Sequence, residues 1–402
     1  MLDQIQQVTS PVVFHTNSSK FKEHVAKRKK HGITLNINPI GETLIGEQEA
    51  AERLKKYIKI LNNQEVNYIS VKLSTLHSQL ITIAHDELIE ECIQRISILY
   101  HEVLKIERET GVQKFVNLDM EEYRDLSITL ETFMKTLDKP EFKKLRAGIV
   151  LQAYLPDTYM ESIRLKKWAI KRVENGGSRV KVRIVKGANL EMEKTEASMH
   201  GWALATYSKK LDTDANYKKI LLELLQTNSV KYLNVGVASH NIFDLAFCLN
   251  IVLKRNIQKY VDFEMLEGMA KSTAIEINKK GANLILYTPI VEKENYLNAI
   301  AYLVRRLDEG TQPGNFLKEG FNLNIGSKKW DFLLNQFKKS LTQIQNVKTT
   351  SNRSQSRLLE SFSIQESFKN IPDTDWSNKP NREWIQKIKT KWENNNPLSV
   401  VP

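Results

Sequence analysis

The residues best suited to chemistry gather in one short stretch, AYLVRRLDEG at 301–310. Tyr302, Arg305, Arg306 and Glu309 follow the i, i+3, i+4, i+7 spacing of one helix face, beside an apolar stripe of Ile300, Leu303, Val304 and Leu307. Two neighbouring guanidiniums offer fixed donor forks for a carboxylate or a phosphate. A surface helix braced by an Arg305–Glu309 pair is the plainer reading of the same spacing. Other polar residues sit within or at the ends of apolar, strand-like runs: Lys72, Asp119, Gln152, Arg183, Glu264 and Tyr287, with ASHN at 238–241. A lysine or arginine in such a run needs a paired charge or a ligand, because burying it alone is costly. Taken singly, each fits a structural ion pair; their convergence on one rim is what suggests a site. Gly187, in RIVKGAN, permits close backbone approach to an anion, with Lys186, Lys210 and His240 as supplementary ligands.

The elements that must position these residues alternate regularly. Runs rich in β-branched residues occur at 33–40, 67–74, 114–120, 147–154, 180–187, 232–239, 260–266 and 283–290. Segments of helical period lie between them. In DELIEECIQRISILYHEVLKIERE, for instance, Leu88, Ile89, Cys92, Ile93, Ile96, Leu99, Tyr100, Val103 and Leu104 mark one face. Eight such strand–helix units over about 280 residues predict a (β/α)8 barrel of the TIM type, an α/β fold with its active site at the carboxyl ends of the strands. An open doubly wound sheet is the alternative, weakened by the absence of a Gly-x-Gly-x-x-Gly turn. The expected organisation is a basic helical extension at 1–32, the barrel at 33–330, and a polar connector or tail at 331–402. In the tail, Trp384, Ile385, Ile388 and Trp392 share a helix face that docks on the barrel or on a partner.

Composition narrows the function. A hydrophobic fraction of 41% and a charged fraction of 26% describe a globular chain with a sizeable core. No run reaches the roughly 18 apolar residues of a membrane span, and the N-terminus lacks a secretory pattern, so the expected location is cytoplasmic. Cys92 and Cys248 lie in apolar helical stretches and read as buried hydrophobes. No metal site is indicated. The net charge of +12 comes from lysines spread over many helices, without a basic motif bearing base-stacking aromatics, so nucleic acid is not an expected partner. An anionic substrate or a phosphate-bearing cofactor suits it.

Taken in order, GETLIGE, YISVKLSTLH, VNLDMEE, GIVLQAYLPD, VRIVKGANLEMEK, TDANY, ASHN, FEMLEGM and AYLVRRLDE resemble the proline dehydrogenase domain of bacterial bifunctional proline-utilisation enzymes. The resemblance covers approximately residues 33–325, with the tail similar to that family's interdomain connector. It implies a distorted (β/α)8 barrel that binds FAD, oxidises L-proline by hydride transfer from C5 to flavin N5 to give pyrroline-5-carboxylate, and passes electrons to a quinone. Contact with the face of the inner membrane would follow from the quinone.

Residue by residue, the resemblance implies that Arg305 and Arg306 ion-pair with the proline carboxylate, Lys72 assisting. Tyr287 and Tyr302 would wall the ring, and Asp119 would shape and close the site. Glu42 would be the gate carboxylate that pairs with Arg305. Arg183 would lie near flavin N5 and Gln152 near the pyrimidine end. Val185, Gly187, Ala188, Ser208, Lys210, Ser239, His240, Asn241, Glu264, Met265 and Glu309 match positions contacting FAD. Three positions depart from common family residues: Asn189, where some members have tyrosine, Ser239 for threonine and Glu264 for glutamine. The chain stops at NNPLSVVP, where a bifunctional member would run into its aldehyde dehydrogenase. The expectation is therefore a split-gene product acting with an aldehyde dehydrogenase partner, a fragment, or an excised domain. Two other classes stand beside this reading: a barrel aldolase using Lys72 as a Schiff-base nucleophile, and a non-catalytic scaffold docking through its tail.

Overall fold

The β-branched runs form strands where the sequence places them. The computed structural model describes residues 13–15, 18–41, 44, 46–291, 299–300, 302–304, 315–320, 323–360 and 370–393. Its strands are β1 (Phe14–His15), β2 (Thr34–Pro39), β3 (Tyr68–Lys72), β4 (Phe115–Asp119), β5 (Gly148–Gln152), β6 (Val180–Val185), β7 (Leu233–Ala238), β8 (Val261–Leu266) and β9 (Asn283–Val291). From β2 to β9 neighbours pair in chain order, and β9 also pairs with β2, so eight parallel strands close into a barrel. The expected fold is the observed one. β1 adds a short parallel pairing at the far end of β9, Phe14 opposite Ile290, beyond the last β8 partner at Tyr287.

Helices cover the barrel as amphipathic periodicity requires. They are α1 (Ser19–Lys30), α2 (Glu47–Leu61), α3 (His85–Thr110), α4 (Asp125–Asp138), α5 (Thr158–Glu174), α6 (Leu190–His200), α7 (Lys210–Leu224), α8 (Ile242–Lys254), α9 (Lys271–Lys279), α10 (Phe316–Glu319), α11 (Lys328–Gln343) and α12 (Lys379–Glu393). Along α3 every residue of the expected face is buried except Leu104, which is half-buried. The helix ends where Gly111 takes a left-handed φ of 70°, a conformation that glycine adopts without steric cost. Cys92 and Cys248 are free and buried, and burial pushes the Cys92 thiol up to about 12.

The two extensions are tied more closely to the barrel than their polar composition suggests. Besides contributing β1, the N-terminal segment anchors α1 through Glu267, which accepts from His24 at 3.1 Å and pairs with Arg28. In the tail, α11 straddles residue 330. It packs Phe337 against Phe243 and Phe247, at 5.9 and 6.0 Å between ring centroids. The linker-like stretch that follows crosses the barrel rim with Arg353 only 4% exposed, its guanidinium over the rings of Tyr123 and Trp202. Glu193, Glu196 and Asp375 surround that cation within 3.9 Å. In α12, Trp384 stacks on Trp376 and Ile385 and Ile388 are half-buried, while Trp392 is 59% exposed.

Candidate active site

Strand residues two apart face the same side of a sheet, so a charged i, i+2 pair in a barrel strand sends two charges into the interior. Two strands do this, with Lys181 and Arg183 on β6 and Asp262 and Glu264 on β8, and β4 sends in the amide of Asn117 with the carboxylate of Asp119. The hub is Asp119, the last residue of β4. One of its oxygens accepts from Asn117 Nδ2 at 2.7 Å and from Arg183 at 2.5 Å, and the other accepts from the Tyr287 hydroxyl at 2.9 Å. Arg183 reaches Glu264 at 3.4 Å with its other terminal nitrogen, and its guanidinium lies 5.2 Å from the Tyr287 ring centroid. Burial opposes the charge on Arg183, yet Asp119 and Glu264 outweigh it and raise the guanidinium's pKa. Burial and the Asp119 charge likewise push the Tyr287 phenol well above its usual value.

Around this hub the rim carries further expected residues. Lys72, at the end of β3, is ion-paired with Glu121 in the loop after β4. A Schiff-base lysine is activated by desolvation or by a neighbouring cation, whereas Lys72 is committed to a carboxylate, so the geometry speaks against the aldolase reading. Gln152, at the end of β5, donates its amide hydrogens to the Met120 and Glu121 carbonyls. Tyr302 is buried with Val13, Ile40, Val291 and Ala299, which sets the helical residues 302–304 against the carboxyl end of β9. Val304 is 50% exposed, so of these two neighbours the tyrosine turns inward and the aliphatic residue outward. Glu42, Arg305, Arg306 and Glu309 lie outside the described residues.

The remaining expected positions line the rim near β6, β7 and β8 in different ways. Val185 and Gly187 are half-buried, while Ala188, Ser208 and Lys210 are exposed. Gly187 has φ 116°, and a Cβ there would run into the Tyr154 ring, so close packing inside the protein is itself a reason for glycine. Ser239 accepts from the Asn241 amide at 3.0 Å, and Asn241 in turn caps α8 by accepting from the Phe243 amide at 3.0 Å. The Leu266 amide donates to His240 Nε2 at 3.0 Å. Met265 points away from Glu264 into the apolar layer beneath the helices, which leaves its backbone for the rim.

A second charged cluster lies outside the barrel, between β6, α7 and α8. Lys186 bridges Asp214 and Asp244 at 2.5 and 2.7 Å, Lys218 meets Asp244 at 2.6 Å, and Lys210 pairs with Asp214. Lys186 is thus committed to two carboxylates and is not a spare anion ligand. Sequence reasoning passed over Lys181, Asp262, Glu121 and the lysine–aspartate pairs of α7 and α8. Lys181 and Asp262 carried the available signal, a charge two residues before another within an apolar strand. Among the described residues no three His, Cys, Asp or Glu side chains are arranged to hold a metal ion. No helix among them is long and apolar enough to cross a membrane.

Residues 21–319 match the family described as proline dehydrogenase. The chain belongs to the proline dehydrogenase family. It is 28% identical over 309 residues to the bifunctional protein PutA of Escherichia coli K12, covering 72% of this chain and 22% of that protein. Proline dehydrogenase 2 of Bacillus subtilis 168 is 25% identical over 297 residues, covering 72% of this chain and 82% of that protein. Among solved structures, proline utilization A from Corynebacterium freiburgense superposes with a TM-score of 0.82 at 34% identity, over 96% of this chain and 36% of that one. The enzyme from Bdellovibrio bacteriovorus, solved after inactivation by N-propargylglycine, gives 0.81 at 28% identity, over 98% of this chain and 40% of that one. The chain therefore spans well under half of the bifunctional relatives it matches.

Proposed function

We propose that this chain is an FAD-dependent proline dehydrogenase, oxidising L-proline to 1-pyrroline-5-carboxylate in the first step of proline breakdown to glutamate. The observation that carries the reading is the Asp119 hub, which joins Arg183 and Tyr287 from three strands at the carboxyl rim, inside the region that matches the family. Two buried atoms suit a flavin ring. Gln152 Oε1 is an acceptor without a partner among the described residues, its amide nitrogen already committed to two carbonyls, and Arg183 Nε is a donor in the same condition. When bound, FAD would accept the hydride from proline C5 and hand the electrons to a quinone.

The protein's task is then to hold a small zwitterion in one orientation, which by itself can supply much of a rate enhancement. Arg305 and Arg306 keep the carboxylate-clamp role that the resemblance implies, with Lys72 assisting, Glu42 as gate and Glu309 at the cofactor's edge. Tyr287, held by Asp119, and Tyr302 wall the ring. Val185, Gly187, Ala188, Ser208, Lys210, Ser239, His240, Asn241, Glu264 and Met265 supply the cofactor's surroundings along the rim. The electron acceptor implies transient approach to a membrane face, and the product suits an aldehyde dehydrogenase as partner. Anaerobic addition of L-proline to the FAD-loaded protein tests the proposal. Loss of flavin absorbance with an o-aminobenzaldehyde-reactive product is expected; an unchanged spectrum at saturating proline overturns it.

A further inference from the structure

A barrel interior is normally packed with branched apolar side chains, and here β6 places a second cation beneath Arg183. Lys181 is 4% exposed and its ammonium lies 2.7 Å from both Asp262 and Glu264 of β8. It also sits 5.2 Å from the centroid of the Tyr68 ring on β3. Gly236 on β7 makes the space, because a Cβ there would overlap Glu264 and crowd Lys181 and Arg183. Burial works against the Lys181 charge, but Glu264, Tyr68 and Asp262 overcome it and raise its pKa. The mechanism proposed above assigns this lysine nothing.

The distances show how the charge is shared. Glu264, 3% exposed, spends one oxygen on Lys181 at 2.7 Å and holds Arg183 with the other at only 3.4 Å. Arg183 leans instead on Asp119 at 2.5 Å, the contact that joins it to Tyr287. Without the lysine, Glu264 would face Arg183 and the carboxylates of Asp262 and Asp119, with the phenols of Tyr68 and Tyr287. A buried carboxylate in that position draws Arg183 away from Asp119.

We propose that Lys181 is a positioning residue of the active site: by satisfying Glu264 from below, it leaves Arg183 to Asp119 and so sets the height and orientation of the guanidinium at the rim. The inference rests on reading that rim as the proline and FAD site.

Lys181→Met and Lys181→Arg are compared with the wild type as FAD-loaded protein, reading kcat and KM for proline and the flavin midpoint potential. Lys181→Met should lower kcat about 100-fold, the scale of a misplacement near 1 Å, and make the potential more negative, because a carboxylate near the flavin has lost its counter-charge. Lys181→Arg should recover most of both. In a Glu264→Gln background, Lys181→Met should shift the potential far less, since the two residues act as one unit. Unchanged kcat and potential in Lys181→Met, or the same shift with and without Glu264, overturns the inference. Should Lys181→Met fail to fold, the potential of Lys181→Arg and of Lys181→Met/Glu264→Gln decides: both far from the wild type overturns it. A wild type that binds FAD but is not reduced by proline overturns the proposed function alone, and the potential still reads out Lys181. A wild type that takes up no FAD overturns both.

Discussion

The barrel interior and the cluster outside β6 are built from the same residue types in opposite proportion. Inside, Lys181 and Arg183 face three carboxylates, Asp119, Asp262 and Glu264. Outside, Lys186, Lys210 and Lys218 face two, Asp214 and Asp244. The inner surplus is negative, and it is tolerated because Asn117 and Tyr287 donate to Asp119. The outer surplus is positive and falls on Lys210, whose side chain is 45% exposed at the start of α7. Inside, Arg183 is the single cation among the described residues that joins Asp119 to Glu264. Outside, each carboxylate has two lysines. The first arrangement fixes one geometry, and the second carries its surplus positive charge at an exposed edge.

Arg183→Met should break the comparison at its weakest point. Urea unfolding should show a loss of about 3–5 kcal/mol, because two buried carboxylates lose a shared partner, and proline oxidation should fall about 1000-fold with the loss of a positioned charge. A stability change near zero would show that the interior does not depend on its cation. Asp125 supplies a control for a carboxyl without a lysine. It is buried at the start of α4 and makes no salt bridge among the described residues, and burial, with Glu122 nearby, pushes it up to about 7. Asp214 is equally buried, yet Lys186, Lys210 and Lys218 outweigh that burial and hold it below the usual carboxylate range. The folded protein therefore keeps the Asp125 proton to about pH 7, whereas the unfolded carboxyl releases it near pH 3.9. Stability should decline by roughly 3–4 kcal/mol as pH rises across that window. Asp125→Asn should flatten that part of the profile, and thermal midpoints between pH 4 and pH 8 measure it.

Lys218→Met tests the redundancy outside. Asp244 keeps Lys186, so the expected loss is about 2 kcal/mol, smaller than that of Arg183→Met. An equal or larger loss would mean that the second lysine does not substitute for the first. Lys210→Met should change stability by less than about 1 kcal/mol, as befits a half-exposed pair. It should weaken FAD binding about tenfold, equivalent to some 1.4 kcal/mol. Unaltered FAD affinity by titration would reduce the outer cluster to a structural one.

The eight barrel strands were legible because β-branched runs and helical stripes are local patterns, and the structure reproduces each within a few residues. β1 was not, since two residues carry no periodicity and pair only because β9 extends past β8. Arg353 was hidden by its setting: a polar stretch reads as a linker, and only contact with Glu193, Glu196 and Asp375 buries it. At the site, Asp119, Arg183 and Glu264 stood out as charges in apolar strands. Lys181 and Asp262 carry the same mark, but their partners lie on other strands and their importance shows only in three dimensions.

By itself the sequence determined the alternation of strand and helix, the closed parallel architecture that follows from it, and the family motifs, all of which depend on residue order and short-range periodicity. Which ionisable groups meet was decided by the tertiary structure. Asp119 finds Arg183 across 64 residues and Tyr287 across 168 because barrel closure brings β4, β6 and β9 around one axis. The same closure places Lys181 under Glu264, where the balance between burial and pairing sets how the charges are shared.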